Sequence, residues 1–379
     1  MLKSITPKNF LSFGPDNPGI ELGPLNVLIG PNGCGKSNLI EAVSFMRAAP
    51  KELRDVTRKG GGTQEWIWKG NPDVAASVDL VADHPSELCH HVEFRASAQA
   101  FSLVNEVVVG KDIAASVYYM YNNGSPAIRS GPPVLRKLET TIDPNRSILA
   151  QLRDPVSYPE LAWLADSYEK VRIYREWAFG RSTVFRDPQR ADEFSKVLEE
   201  DFSNLGLFLN RLKARFPAAK RSILEKLQDL YAGITEFEVL IDGGTVQVRL
   251  IEKGDFSIPA TRLSDGTLRY LCLLAILCDP EHPPLICIEE PELGLHPDIL
   301  PNLADLLLEA STRTQLIVTT HSDILVDAMT ETPEAVIVCS RENGQTSMER
   351  LNREKLSHWL DKYRLGELWM NGQIGGTRW

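Results

Sequence analysis

The chain has 379 residues, of which 43% are hydrophobic and 24% charged, so it can bury a large core in about two or three domain-sized units. Its formal net charge of −10 gives no support to non-specific adhesion to nucleic acid. It contains no apolar run of membrane-spanning length, no apolar signal core near its start, and no C-x-x-C pair among its six cysteines. A cytoplasmic protein with reduced thiols and no membrane partner is therefore expected.

The first part of the chain is predicted to be rich in strands. The run LNVLIG at 25–30 predicts a buried strand, GPNGCGKS follows it at 30–37, and the apolar spacing of 36–48 predicts a helix. Between about 60 and 125, short runs such as ASVDLVA and HVEFRASA indicate an antiparallel meander.

The second half is predicted to be helical at first and then alternating. Residues 187–232 have a helical composition broken at Pro217, and two strands around Gly243 and Gly244 predict a hairpin. Helices are then predicted at about 265–279, 298–311 and 322–329, with strands at 285–288, 315–319 and 335–339. This alternation is typical of an α/β layer with a mostly parallel sheet.

The segment 30–37 matches the phosphate-binding pattern G-x-x-x-x-G-K-[ST]. Glycines let backbone N–H groups face the phosphates, and the following helix presents its positive N-terminal end to them. Lys36 is predicted to contact the β- and γ-phosphates of a nucleotide, and the Ser37 hydroxyl to ligate Mg²⁺. The predicted nucleotide contacts are Gly30, Asn32, Gly33, Cys34, Gly35, Lys36, Ser37 and Asn38.

Three carboxylates follow the apolar run LICI at 285–288, and buried carboxylates need a positive partner. Mg²⁺ bound to the nucleotide is the predicted partner of Glu289, which stands where P-loop ATPases hold the metal, usually through water. Glu290 is predicted to orient or deprotonate the attacking water. An exposed acidic loop is the alternative interpretation, and it fits Glu292 better than the first two residues.

Two further segments add candidate residues. In VTTHSDIL at 318–325, His321 follows a predicted strand and is placed to hydrogen-bond the γ-phosphate and sense its loss, although a packed or capping histidine is the alternative. In TRLSDGTLRY at 261–270, Ser264 and Gly266 open a predicted helix, and a simple helix cap is the alternative there.

The order of these motifs resembles an ABC-type ATPase head of the RecF, SMC and OLD branch. The motifs are Walker A, the LSDGT signature at 263–267, Walker B with its catalytic glutamate, and the switch histidine. ITPKNFLSFG, IEEPELGLHP and VTTHS are typical of that branch. SILAQLRDP, LSDGTLRYLCLLAIL and YRLGELWMNGQIGG resemble a group of stand-alone bacterial predicted ATPases of the AAA family. Neither a coiled-coil arm nor a Toprim nuclease domain is expected.

Some positions depart from the common pattern of such heads. Cys34 stands where these loops often carry Ser, but it acts through its backbone N–H. Glu289 replaces the Asp that many ABC proteins carry, and Asp265 and Thr267 distinguish the signature from the LSGGQ of transporters. A transporter ATPase is therefore a poorer interpretation.

The resemblance implies an α/β P-loop NTPase fold, an ABC-ATPase head with a RecA-like lobe, an antiparallel β meander and a helical lobe. Residues 1–140 and 281–379 would form the nucleotide-binding lobe, with the meander at about 60–125. Residues 141–280 would form the helical lobe that carries the signature.

The resemblance also implies ATP and Mg²⁺ as cofactors and a homodimer, or a higher oligomer, in the ATP state. Ser264 and Gly266 would act on the γ-phosphate held by the other subunit. A glutamine usually bridges metal and water in such heads, and Gln151 fits best, with Gln64 as the alternative. Because the output is conformational, a separately encoded effector is expected, in DNA repair or phage defence.

Two other functions remain open from the sequence. A DNA-binding clamp module is supported by the basic stretch RLKARFPAAKR, although a solvated helix face explains it as well. Its basic residues are Arg211, Lys213, Arg215, Lys220 and Arg221. A regulatory scaffold that binds ATP with little turnover, and serves a separate nuclease effector, is the other alternative.

Overall fold

The computed structural model describes residues 2–97, 100–111, 116–122, 124–129, 135–138, 142–177, 180, 183–192 and 196–375. The chain forms two compact units. The first comprises Met1–Val171, Thr332–Tyr363 and Glu367–Trp379, and the second comprises Arg172–Glu331 and Arg364–Gly366. These units are bounded differently from the two lobes predicted from the sequence, whose boundary at 140/141 lies outside the described residues. The lobes stay a prediction.

The strands alternate with helices most regularly in the last third of the chain. They are β1 (Leu2–Lys8), β2 (Ile20–Glu21), β3 (Leu25–Ile29), β4 (Ala76–Ala82), β5 (Leu88–Ser97), β6 (Ala100–Val109), β7 (Val117–Asn122), β8 (Ser125–Arg129), β9 (Leu135–Lys137), β10 (Arg172–Tyr174), β11 (Gln189–Arg190), β12 (Ile234–Asp242), β13 (Thr245–Glu252), β14 (Phe256–Pro259), β15 (Leu285–Glu289), β16 (Gln315–Thr319), β17 (Val336–Glu342) and β18 (Gln345–Arg350).

The helices are short, with at most 14 residues in any described one. They are α1 (Lys36–Arg47), α2 (Leu53–Lys59), α3 (Ile148–Gln151), α4 (Pro159–Glu169), α5 (Leu205–Arg215), α6 (Pro217–Leu230), α7 (Asp265–Leu277), α8 (Leu300–Ser311), α9 (Asp323–Asp327), α10 (Arg353–Leu360) and α11 (Leu365–Met370). Single 3₁₀ turns occur at Thr63–Trp66, Ala260–Arg262, Pro297–Ile299 and Pro333–Ala335.

The first unit contains the predicted meander, an antiparallel sheet in the order β2-β1-β4-β5-β6-β7-β8-β9. Side chains of β4 alternate between buried and half-buried, as a sheet with one covered face requires. Phe45 of α1 packs against Phe94 of β5 with ring centroids 4.8 Å apart, and Phe10, Trp66 and Phe101 complete the aromatic cluster. The cluster anchors α1 against the meander. The antiparallel strand order confirms the predicted meander.

A second group of strands in the first unit supports the phosphate-binding segment. All five residues of β3 are buried, and β3 pairs in parallel with β17, which pairs in an antiparallel manner with β18. Residues 30–35 connect β3 directly to α1. This is the strand-turn-helix context that the motif requires.

The second unit contains parallel strands with buried side chains. β15 pairs with β10 on one side and β16 on the other, both in parallel, and Glu289 is in register with Thr319. Helix α7 is buried at every position from Leu268 to Leu277. The predicted hairpin is confirmed: Gly243 and Gly244 have φ angles of 54° and 77° between β12 and β13, as such two-residue turns need.

The helical prediction for 187–232 is correct only in its later part. The break at Pro217 is confirmed, since α5 ends at Arg215 and α6 begins at the proline. Before α5, however, Gln189 pairs with Val246 in a sheet, and Phe202 takes a left-handed φ of 61°. Phe202 is buried against Tyr174. Tertiary packing overrides the helical composition here, and residues 193–195 lie outside the described part.

Among the described residues, no helix is long and apolar enough to cross a membrane.

Candidate functional site

The phosphate-binding segment folds as a glycine-dependent loop. Gly30, Gly33 and Gly35 have φ angles of 144°, 76° and 107°, which L side chains rarely adopt. A Cβ atom at Gly30 would clash with the Cys339 carbonyl, and one at Gly35 would clash with the Thr346 hydroxyl. The glycines therefore allow both the backbone turn and its close approach to β17 and β18.

The Lys36 side chain is hydrogen-bonded back to the backbone of this loop. Its ammonium group is buried and donates to the carbonyls of Gly30 at 2.8 Å and Pro31 at 3.1 Å. Among the described residues, no acidic side chain lies in the first turn of α1, and its N-cap residue, Gly35, provides no side-chain hydrogen bond to the helix. A buried cation beside a positive helix end fits the phosphates of a nucleotide.

Side chains distant in sequence brace the loop from below. The Thr346 hydroxyl donates to the Cys34 carbonyl at 2.7 Å and lies 2.6 Å from the Ser12 hydroxyl. Ser12 in turn accepts a hydrogen bond of 2.6 Å from the Asn38 amide. The Asn38 amide is therefore bonded to Ser12, and the contact of Asn38 with nucleotide stays a prediction. Nothing in the sequence points to Ser12 or Thr346, because more than 300 residues separate them.

Cys34 faces another buried thiol. A hydrogen bond with Cys339 and the charge of Lys36 lower the pKa of Cys34 to about 6, against the opposing effect of burial. The same hydrogen bond and burial raise the pKa of Cys339. The departure from Ser at position 34 therefore places a polarised sulfur inside the loop.

The side chains of the two candidate bridging glutamines are hydrogen-bonded to nearby backbone groups. The Gln151 amide donates to the carbonyls of Asp143 and Arg146 at 3.1 and 2.9 Å, and its oxygen accepts from the Asp143 N–H. Gln64 donates to the Pro72 carbonyl at 3.5 Å. A metal-bridging role for Gln151 would require these bonds to break, so it remains a prediction.

In the second unit, Glu289 lies at the end of β15 between several partners. Its carboxylate is 3.7 Å from the Arg175 guanidinium, and its carbonyl accepts a 2.7 Å hydrogen bond from the Trp177 indole. The sequence predicts Mg²⁺ as the positive partner of this carboxylate, and that stays a prediction. The structure adds Arg175 as a partner, which the sequence does not reveal because no local pattern predicts β10.

Glu290 and His321 are brought together. The carboxylate of Glu290 lies 3.7 Å from Nε2 of His321. Glu290 has a left-handed φ of 46°. Two hydrogen bonds hold this conformation: the Glu290 N–H donates to the Thr319 carbonyl at 3.0 Å, and Arg269 donates to the Glu290 carbonyl at 2.8 Å. Such strained residues persist only where neighbours fix them, and they cluster at functional sites.

The interpretation of Glu292 as part of an exposed loop is wrong. Its carboxylate accepts hydrogen bonds from the Thr320 hydroxyl at 2.8 Å and from the His321 backbone N–H at 2.7 Å. Burial raises its pKa. Glu292 therefore fixes the backbone of His321. A carboxylate two residues from Glu290 was the only sequence signal, and it does not distinguish a buried role from an exposed one.

We expect Glu292→Ala to lower ATP turnover about 10-fold and stability by about 1–3 kcal/mol, because the Thr320 and His321 donors lose their acceptor. Glu292→Gln should keep turnover within about 3-fold, because its amide oxygen still accepts both bonds. The raised pKa means that the ionised carboxylate costs stability near neutral pH, so the glutamine should not destabilise the fold. Urea unfolding and phosphate release check both variants; equal turnover in the two would contradict this role.

The signature segment begins helix α7, with Ser264 as the N-cap residue. The Ser264 hydroxyl accepts a 3.1 Å hydrogen bond from the Thr267 N–H, and a Cβ at Gly266 would lie 2.9 Å from the Gly294 carbonyl. Buried Arg186 pairs with the Asp265 carboxylate and donates to the Leu263 carbonyl at 2.7 Å. The Asp in this signature thus has a structural partner that the sequence did not reveal.

The basic stretch on α5 and α6 is only partly a solvent-facing cluster. Arg211 is buried and pairs with Asp279 at 2.9 Å and Glu281 at 2.6 Å, and Lys220 pairs with Glu236. Including Arg211 in a DNA-contacting face was therefore wrong. Its charge is already matched by carboxylates, which weakens the sequence argument for a DNA clamp.

These elements define the class: a P-loop NTPase fold with the head architecture of SMC proteins. The chain belongs to the family described as "AAA domain, putative AbiEii toxin, Type IV TA system", whose model matches residues 25–327. The recognition and the fold class predicted from the sequence are confirmed.

Two chromosome partition proteins Smc are similar to parts of the chain. The one from Bordetella petrii is 36% identical over 104 residues, 25% of this chain and 8% of that protein. The one from Thauera aminoaromatica is 35% identical over 115 residues, 28% of this chain and 9% of that protein. The chain thus spans less than a tenth of the curated relatives it matches.

Solved SMC heads share the fold. A head bound to the C-winged helix domain of ScpA has a TM-score of 0.59 at 17% identity, covering 94% of this chain and 99% of that one. A head with an extended coiled coil bound to the C-terminal domain of ScpA, from Pyrococcus furiosus, has a TM-score of 0.55 at 14% identity, covering 95% and 98%. At these identities the likeness establishes the fold.

Proposed function

We propose that the chain binds and hydrolyses ATP as a homodimer that closes head to tail around two ATP molecules. The observation that carries this proposal is the Glu290 carboxylate 3.7 Å from His321, at the end of a buried strand, on a strained and fixed backbone. In a protein of this family, a half-buried carboxylate beside a histidine suits water activation next to phosphate.

The proposed roles follow from the chemistry of each side chain. Lys36 and the N–H groups of 33–37 bind the phosphates of ATP. Ser37 and Glu289 would hold Mg²⁺, which supplies charge neutralisation on the phosphates when it is bound. Glu290 accepts the proton of the attacking water, and His321 donates to the γ-phosphate. Ser264 and Gly266 contact the ATP of the facing subunit.

The output of this cycle would be a change between open and closed dimers. A separately encoded effector that reads this change is the proposed partner, in DNA repair or phage defence. Two lines support the proposal: the family description names a putative toxin of a Type IV toxin–antitoxin system, and two similar SMC heads are bound to domains of ScpA. DNA stays a weaker candidate, because Arg211 and Lys220 are paired with carboxylates.

Phosphate release at rising protein concentration tests the dimer requirement. Because each active site would need the signature of a second chain, turnover per chain should rise with concentration and then level off. A rate per chain that is constant over about a 100-fold range would contradict the shared site. Absent turnover with intact ATP binding would favour the regulatory scaffold instead.

A further inference from the structure

Arg269 lies on the signature helix and reaches the catalytic-glutamate segment of the same chain. It is one turn beyond Ser264 and Asp265 on α7, and it is 4% exposed. Its guanidinium donates a 2.8 Å hydrogen bond to the Glu290 carbonyl. Burial lowers the pKa of Arg269 to about 10, so the group remains a cation near neutral pH.

Trp177 completes this contact from the other side. The Arg269 guanidinium carbon lies 4.3 Å from the centroid of the indole ring, within cation–π range. The same indole donates its N–H to the Glu289 carbonyl at 2.7 Å and stacks on buried Phe202. One stacked pair therefore holds the carbonyls of both consecutive glutamates.

The backbone of Glu290 needs such support. Its φ of 46° is a left-handed conformation that is costly for a residue with a side chain, and its carboxylate lies 3.7 Å from His321. α7 itself is a continuous helix that is buried at every position from Leu268 onward. A contact at the Ser264 end of α7 can therefore reach Glu290 through Arg269 without passing through flexible chain.

We propose that Arg269 is a positioning residue that ties Glu290 to the signature helix of the same chain. The inference rests on the proposed dimer, in which Ser264 faces one ATP while Glu290 of the same chain faces the other. Arg269 then makes hydrolysis of one ATP depend on the contact of Ser264 with the second ATP. Its sequence position predicts none of this, because the carbonyl it binds lies 21 residues away.

Single variants give the first test. Arg269→Met should lower kcat roughly 10- to 100-fold, the size of a lost charged hydrogen bond, while the ATP affinity stays within about 2-fold. Arg269→Lys should not rescue kcat, because a lysine ammonium cannot stack on the indole and donate as a planar fork. Trp177→Phe keeps an aromatic ring, although a smaller one, and loses the N–H, so its kcat should fall by less than that of Arg269→Met. Circular dichroism and thermal melting check that each variant is folded.

Mixed dimers separate positioning of Glu290 from support of the signature. The two chains carry different affinity tags, and Glu290→Gln in one chain leaves a single hydrolysing site. With Arg269→Met in the opposite chain, the chain that keeps Glu290 lacks the bond from Arg269 to the Glu290 carbonyl, so hydrolysis should be slow. With Arg269→Met and Glu290→Gln in the same chain, the intact chain should keep about half the wild-type rate.

The reverse order of these two rates would show that Arg269 supports only the signature facing the other ATP, and equal rates would remove its directional role. Either result overturns the inference while the dimer stands. Failure of any mixed dimer to form with ATP would instead overturn the proposed function, and the inference with it.

Discussion

The Glu290→Gln variant is expected to lose ATP turnover by roughly 10²-fold or more, in line with the value of a positioned general base. The glutamine keeps the shape of the side chain but cannot accept the proton of the attacking water. ATP should stay bound, because Lys36, Ser37 and Glu289 are unchanged. Phosphate release and chromatography of the bound nucleotide measure the two effects.

Asp298→Asn is the matched control for loss of a carboxylate charge, since Asp298 lies in the turn before α8 with its side chain 91% exposed. Its turnover should equal that of the wild type. A Glu290→Gln protein that hydrolyses ATP at the wild-type rate would contradict the assignment of the base.

Lys36→Ala is expected to weaken ATP binding by at least about 100-fold, because a buried ammonium group is the cation that the loop offers to the β- and γ-phosphates. Isothermal titration with ATP and Mg²⁺ measures the loss. Lys51→Ala, an exposed lysine just beyond α1, is the control and should bind as the wild type does. Unchanged affinity in Lys36→Ala would refute the phosphate-binding role of the loop.

The parts of the fold that the sequence predicted are those set by local patterns. β3, the glycine turn and α1 follow from an apolar run, left-handed glycines and helical spacing within a single stretch of about 20 residues. β15 and its terminal glutamates are identified in the same way. Local chemistry fixes these elements, and the family match confirms the class they define.

The parts that the sequence did not predict depend on distant partners. The Glu292 carboxylate is held by the Thr320 hydroxyl, and the loop at Lys36 is braced by Thr346. Arg186 and Arg269 look like ordinary surface cations until the fold buries them. The segment before α5 has helical composition, yet Phe202 packs against Tyr174 instead. Such contacts join residues that no local pattern relates.

The most direct test of the ATP-sandwich mechanism is the mass of Glu290→Gln in solution, measured by light scattering with ATP·Mg²⁺ and with ADP. We expect twice the 42.3 kDa of the chain with ATP and the mass of a single chain with ADP. Adding Ser264→Arg should abolish the ATP-bound dimer, because a bulky cation would occupy the place where Ser264 meets the γ-phosphate of the facing subunit. The same mass with either nucleotide, unchanged by Ser264→Arg, would contradict the mechanism.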